Sequence, residues 1–240
     1  ERGSFLSYGA CGLPYYIGGW NDDPSKMIAR TARQYADMGI ETHLRHEALK
    51  VEPHRKTVLI RDHDGGRTFE DHYDVLMLAV GCHSVMPDFP GADLPSVFYI
   101  KTMEDGLLFH EIARLPGLRH VAIVGGGYIG VEMAEAMLRL GRQVTLLEAG
   151  ERILAPFEPE FSELAAQELE RHGVRVIVGG AVSEIRELGE KRLIRTRQGN
   201  VEADVVVVAA GVAPDTGFLR DTGVRMARNG ALLVDREMRT

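Results

Sequence analysis

Apolar positions along the chain alternate between two periods. Short runs of Val, Ile, Leu and Ala, four to six residues long, are punctuated by Gly or Pro and separated by stretches whose apolar residues recur every three or four positions. The first pattern reads as strand and the second as amphipathic helix, and their alternation predicts an α/β fold with parallel strands joined by crossover helices. In the first part, Asp22-Asp23-Pro24 supplies an N-cap and a first-turn proline. Apolar Met27, Ile28, Ala32, Tyr35 and Ala36 follow and Gly39 ends the run, which predicts one helix. Strands are predicted over 40–44, over 57–61 and 67–69 around the turn Asp64-Gly65-Gly66, and over 75–80 ending at Gly81. Residues 87–95 hold Pro87, Pro90, Gly91 and Pro95 and read as a linker. Beyond it the pattern predicts a helix over 104–115, a strand over 120–124, a helix over 129–140 and a strand over 143–148. A helix over 158–172, a strand over 174–178, a hairpin over 181–196 and strands over 204–209 and 231–234 complete the reading.

Composition narrows the function classes. The chain has 240 residues, enough for one large or two modest domains with real cores. Its 28 Lys and Arg against 35 Asp and Glu give a net charge of -7 with no dense basic run, an unpromising surface for nucleic acid. The longest apolar run, 205–213, is interrupted by Gly211 and stopped by Pro214, too short to span a membrane. With two cysteines and no leader-like segment, a reducing cytoplasm is the default expectation. His43 and His46 stand three apart without a supporting Cys or carboxylate cluster, so no metal site is expected and the nine histidines read as solvent-facing.

Two segments carry chemistry. Gly125-Gly126-Gly127-Tyr128-Ile129-Gly130 places glycines at 125, 127 and 130 between a predicted strand and a predicted helix, the dinucleotide-binding arrangement. Gly125 permits the tight turn, Gly127 lets backbone approach a pyrophosphate, and Gly130 lets helix and strand pack closely. Glu148 ends the next predicted strand, where an acid accepts the ribose hydroxyls and repels a 2'-phosphate, favouring NADH. Arg152 nearby leaves NADPH open. A purely structural glycine turn is the alternative. The second segment, residues 7–19, sets Cys11 among small residues and aromatics, with Pro14 placed for the first turn of a short helix. A cysteine there is either an activated thiolate near a helix N-terminus or an inert buried residue.

These residues, together with 78–81, Pro87, Phe89-Pro90-Gly91 and 209–215, resemble the pyridine nucleotide-disulfide oxidoreductases, and within them the single-cysteine branch of CoA-disulfide reductases, NADH oxidases, NADH peroxidases and polysulfide reductases. The resemblance covers nearly the whole chain. Tyr16 stands where dithiol members carry their second cysteine. It implies a flavoprotein fold with two dinucleotide-binding domains. The FAD domain would be incomplete, over 1–103, followed by a complete Rossmann-like NAD domain over 104–217 and a return segment over 218–240, the whole being a piece truncated at both ends. By the same resemblance Cys11 is catalytic and cycles between thiolate and sulfenic acid or mixed disulfide. Glu1, Ala79, Val80, Gly81, Cys82 and Lys101 belong to FAD, Tyr128 and Glu132 lie near nicotinamide and flavin, and Ile129, Glu148, Phe157 and Gly211 serve NAD. The implied activity is electron transfer from NADH through FAD to Cys11, and on to a disulfide, polysulfide, peroxide or oxygen, in a homodimeric full-length protein. The alternatives are a non-catalytic NAD-binding fragment and a flavin reductase that serves a protein partner without using Cys11. Ala10 replaces the family's usual Asn before the cysteine, which counts against CoA disulfide; Val80 and Cys82 replace Thr and Ala, and Cys82 reads as a packing residue.

Overall fold

The computed structural model describes all 240 residues, which form two compact units. One unit comprises Gly9–Met27 and Ser84–Gly211; the other comprises Glu1–Tyr8, Ile28–His83 and Val212–Thr240. This grouping by packing cuts across the expected segments 1–103, 104–217 and 218–240, which follow the two nucleotides: residues 9–27 go with the larger unit.

The larger unit is built on a five-stranded parallel sheet in the spatial order Val174–Ile177, Gln143–Leu147, His120–Val124, Val205–Val208, Val97–Tyr99. Helices Met103–Ala113, Tyr128–Arg139 and Pro159–Arg171 connect successive parallel strands, as such sheets require. The strands are apolar on both faces because both are covered. Val121 and Ile123 are fully buried on the side of the Tyr128–Arg139 helix, with Met133 and Met137. Ala122, Val124, Val206 and Val208 join a second cluster with Ile185, Ile194 and Val201 from an antiparallel meander, Val182–Leu188, Lys191–Thr196 and Gly199–Ala203. The third meander strand was not expected; its signal is the alternation of buried Val201 and Ala203 with exposed Asn200 and Glu202.

Two charged side chains fix the sheet to its connections. Asp204 accepts hydrogen bonds from the amides of Arg119 (2.7 Å) and His120 (2.8 Å), holding the start of the central strand. The Arg142 guanidinium donates to the carbonyls of Ala113 (2.8 Å) and Leu118 (2.6 Å), closing the C-terminal end of the Met103–Ala113 helix.

The smaller unit contains the antiparallel sheet His46–Glu52, Thr57–Asp62, Arg67–His72, and a short pairing of Ser7–Tyr8 with Ile28–Arg30. The expected turn at 64–66 is present, tied by the Asp62 carboxylate, which accepts from the amides of Asp64 (3.0 Å) and Gly65 (2.8 Å). These bonds hold the Asp62 carboxyl below its usual pKa.

Four expectations fail here. The single helix after Pro24 is instead a 3-10 turn Pro24–Met27, a strand Ile28–Arg30 and a separate helix Ala32–Asp37. Thr31 is the cause: its hydroxyl accepts from the Gln34 amide and Gln34 accepts from the Thr31 amide, a capping box that starts a new helix. No strand forms over 40–44; the strand begins at His46, and a bulge between Ala48 and Lys50 disguises its alternation. Residues 75–80 are not a strand, since no neighbour pairs with them, and Val75 and Met77 are each 88% exposed. Residues 231–234 contribute only one bridge, Leu232 to Met226.

Two predictions concern stability. Asp204→Ala removes the charged acceptor of two amides, that of His120 part-buried, and should cost about 1–2 kcal/mol in urea unfolding. His120 is half-buried with Nε2 2.9 Å from Thr145 Oγ1, and its partial burial lowers its pKa below 6.5. The unfolded chain therefore binds this proton more readily, so the contribution of neutral His120 is complete above about pH 6.5 and is lost as pH falls from there towards the folded pKa. The urea midpoint should fall between pH 7.5 and 5.5, and less steeply in His120→Gln.

Candidate functional site

The chemistry of the larger unit gathers at the carboxyl ends of its parallel strands. Gly125 follows the central strand with φ +113° and donates its amide to the Leu147 carbonyl (2.7 Å). A Cβ there would overlap the carbonyl oxygen of Ala209, so the left-handed turn and the crowding both demand glycine. A Cβ at Gly130 would overlap the Gly125 carbonyl oxygen, which sets how closely the Tyr128–Arg139 helix lies against its strand. Gly127 differs. It is the helix N-cap, without a side-chain capping bond, and a Cβ there would meet nothing within 4 Å. The positive end of a 12-residue helix thus carries no side-chain cap and has open space beside Gly127, a setting for an anion.

Glu148 closes one side of the turn. Its Oε2 accepts from the Gly126 amide and its Oε1 from the Gly150 amide, both at 2.6 Å. The loop that follows folds back on the same turn: the Leu154 amide donates to the Gly126 carbonyl (2.7 Å), and Ile153 is buried. Phe157, at the end of that loop, meets Tyr128 edge to face, ring centroids 5.8 Å apart; the rings are 42% and 54% exposed. Ile129 and Glu132 are half-buried on the helix. Burial, reinforced by Glu135, raises the Glu132 carboxyl above its ordinary pKa. Gly211 lies beyond the Val205–Val208 strand with φ +105°, and its carbonyl accepts from the Val85 amide (2.9 Å).

Cys11 is exposed and sits in a 3-10 turn, Ala10–Gly12, that runs into the helix Leu13–Ile17 with Pro14 in its first turn. It is a free thiol. The short helix is held by the Met103–Ala113 helix and the residue after it. Tyr16 stacks on the His110 ring at 4.1 Å, His110 Nδ1 lies 3.1 Å from the Tyr16 carbonyl, and Arg114 donates to the Ile17 carbonyl at 2.9 Å. Gly106 admits Leu13, whose Cδ2 would lie 2.5 Å from a Cβ there. Burial lowers the His110 pKa, and the Arg114 charge lowers it further. Lys101 is half-buried, its amide donating to Asp105 Oδ2 (3.1 Å).

The smaller unit holds a cleft of about 1270 Å³, and Glu1, Ala79 and Val80 all line it. Gly81 has φ +71°, and Cys82 lies on a short strand paired with Val212–Pro214. Four histidines also reach the cleft, His43, His46, His72 and His83. His83 Nδ1 lies 2.6 Å from Asp215 Oδ1, and Arg2 bridges Asp215 (3.7 Å) and Glu47 (3.8 Å). Sequence reasoning placed these histidines in solvent, and His43, His72 and His83 are exposed; what it did not show is that the fold of the unit brings His72 and His83 to the same cleft as His43 and His46. No three His, Cys, Asp or Glu side chains are grouped to hold a metal ion.

A family model described as pyridine nucleotide-disulphide oxidoreductase matches residues 1–240. The chain belongs to that family. Among curated members, it is 32% identical over 241 residues to an NAD(P)H sulfur oxidoreductase (CoA-dependent) of Pyrococcus abyssi, and 30% identical over 243 residues to an NADH oxidase of Enterococcus faecalis. Each match takes in all of this chain, and 53% and 54% of those relatives. The chain therefore spans about half the length of the curated family members it matches. Among solved structures, a water-forming NADH oxidase of Lactobacillus brevis bound to NADH superposes with a TM-score of 0.93 at 29% identity, covering 98% of this chain and 52% of that one. An NAD-dependent persulfide reductase of A. fulgidus does so with a TM-score of 0.91 at 29% identity, covering 98% and 44%. The α/β architecture with its parallel sheet is thus that of a pyridine nucleotide-disulphide oxidoreductase, in roughly half-length form.

Gly125, Gly127, Gly130, Tyr128, Glu148 and Phe157, all singled out in the sequence, surround one turn of the chain. Gly130→Ala should lower unfolding stability by about 1–3 kcal/mol, although alanine is the better helix former, because the overlap is with rigid backbone. Gly127→Ala, facing open space, should cost less than about 1 kcal/mol. Thermal and urea unfolding of the two variants checks the contrast.

Proposed function

We propose that this chain is the nucleotide-binding and thiol-bearing part of an FAD-dependent NAD(P)H oxidoreductase, which passes electrons from NADH to Cys11 and on to a disulfide, polysulfide, peroxide or oxygen. The observation that carries the reading is the open amide end of the Tyr128–Arg139 helix, bordered by Glu148 and the aromatic pair, in the same unit as an exposed free thiol. The names of relatives support it: they are NAD(P)H sulfur oxidoreductases, NADH oxidases and a persulfide reductase.

When bound, NADH supplies a hydride and FAD relays the electron pair. The chain's own residues do the rest. Gly127 and the amides behind it hold the pyrophosphate, with Gly125 and Gly130 shaping that turn. Glu148 accepts the ribose hydroxyls and its charge repels a 2'-phosphate, so NADH is preferred to NADPH. Ile129, Phe157 and Gly211 border NAD, Phe157 packing on the adenine, and Tyr128 and Glu132 lie near the nicotinamide and flavin. Residues 104–217 form this NAD portion. Residues 1–103 form the FAD portion, to which 218–240 return. In that portion Glu1, Ala79, Val80, Gly81, Cys82 and Lys101 hold FAD; Glu1, Ala79 and Val80 line one cleft of a volume that suits a nucleotide. Cys11 Sγ accepts the electron pair as a sulfenic acid or mixed disulfide and leaves as thiolate, with water or a thiol released. With Tyr16 buried in a stack where a second cysteine would stand, one sulfur works alone. A cytoplasmic homodimer is the expected full-length form, and its substrate is a small molecule.

The dissociation constants of NADH and NADPH for the 240-residue chain test the nucleotide assignment. NADH should bind more tightly, and Glu148→Ala should narrow the preference by about tenfold, the equivalent of about 1.4 kcal/mol. Tighter NADPH binding by the unmodified chain would overturn the assignment of Glu148. A non-catalytic fragment would bind NADH equally well, so Cys11 needs its own test: in a full-length, flavin-loaded protein, Cys11→Ser should abolish turnover with a disulfide acceptor. Unchanged turnover would favour a reductase that serves a protein partner.

A further inference from the structure

Leu154 is one of four non-glycine residues with positive φ, at +48°, and the one of the four that lies in the loop after Glu148. Three hydrogen bonds converge on its main chain. Its amide donates to the Gly126 carbonyl (2.7 Å), and its carbonyl accepts from the Phe157 amide (2.9 Å) and from Ser162 Oγ (3.3 Å). Ser162 is 1% exposed, in the first turn of the Pro159–Arg171 helix. The main chain of one left-handed leucine thus ties together the glycine turn, the loop aromatic and the next helix. A leucine in this region is uncommon, because its Cβ crowds the following carbonyl. The surrounding bonds hold it there.

We propose that Leu154 is a positioning residue for the adenosine half of the dinucleotide: its left-handed backbone fixes Phe157 at a set height above the glycine turn, and Ser162 locks that conformation. The inference rests on the proposed NAD site. The function belongs to the backbone conformation and not to the leucine side chain, which is only half-buried. Loss of the left-handed turn would move the Phe157 amide and ring away from the turn while leaving Gly127 and the helix amides in place.

The test compares Leu154→Gly, Leu154→Asn, Leu154→Val and Ser162→Ala in the 240-residue chain. Binding is measured for NADH, for ADP-ribose, which keeps the adenosine half, and for reduced nicotinamide mononucleotide, which lacks it. Gly and Asn adopt positive φ readily and should keep NADH and ADP-ribose affinity within about twofold. Val is a genuine outlier there and should weaken both by about tenfold or more while leaving the mononucleotide unchanged. Ser162→Ala should weaken both by about two- to tenfold, the range of one net hydrogen bond. The opposite order, with Val retained and Gly and Asn impaired, would assign the role to the side chain and overturn the proposal, as would equal losses for the mononucleotide. Should Leu154→Val unfold, as circular dichroism would show, Gly, Asn and Ser162→Ala still decide. Failure of the unmodified chain to bind any of the three probes would instead refute the NAD site itself.

Discussion

The main chain of Gly125 is the point on which the larger unit depends. Its amide reaches the Leu147 carbonyl on one side, its missing Cβ leaves room for the Ala209 carbonyl on the other, and its own carbonyl meets Gly130 of the following helix. Backbone from three neighbouring parallel strands and one helix therefore converges within van der Waals contact at a position where any side chain would force them apart. The close packing has a functional consequence. It sets the start of the Tyr128–Arg139 helix at the strand ends with no side-chain cap and open space beside Gly127, and the Glu148 carboxylate takes the Gly126 amide, which holds the turn in one shape.

The thiol segment is organised by a different kind of constraint. A five-residue helix has little stability of its own. Leu13–Ile17 persists because aromatic stacking of Tyr16 on His110, the Arg114 bond to Ile17 and the close approach of Leu13 to Gly106 fasten it to a longer helix. The Cys11 thiol is exposed while its support is buried. On the proposed reading, that separation lets Cys11 meet a small acceptor without loss of position, while Tyr16 is held in a packing role by its stack on His110.

Much of the larger unit was legible in the sequence, since its strands and helices have unmixed periods and its glycines lie at places where geometry leaves no choice. The expected βαβ run matches the strands His120–Val124 and Gln143–Leu147 and the helix Tyr128–Arg139 closely. What was not legible depends on partners distant in the chain. Apolarity over 75–80 looks like a strand, but a strand exists only where a neighbour supplies hydrogen bonds. The bulge beside Ala48 breaks the alternation that would have marked His46–Glu52. The histidine-lined cleft and the left-handed Leu154 leave no local signal at all, because the first is assembled from separate segments and the second is held by bonds to Gly126, Phe157 and Ser162.

The central claim is that this chain handles electrons from a reduced nicotinamide through a flavin. The most direct measurement is the visible absorption spectrum of the purified 240-residue chain, supplied with FAD, freed of excess and titrated anaerobically with NADH. The account predicts a bound-flavin spectrum that bleaches with NADH. A chain that retains flavin but shows no bleaching at saturating NADH would contradict it.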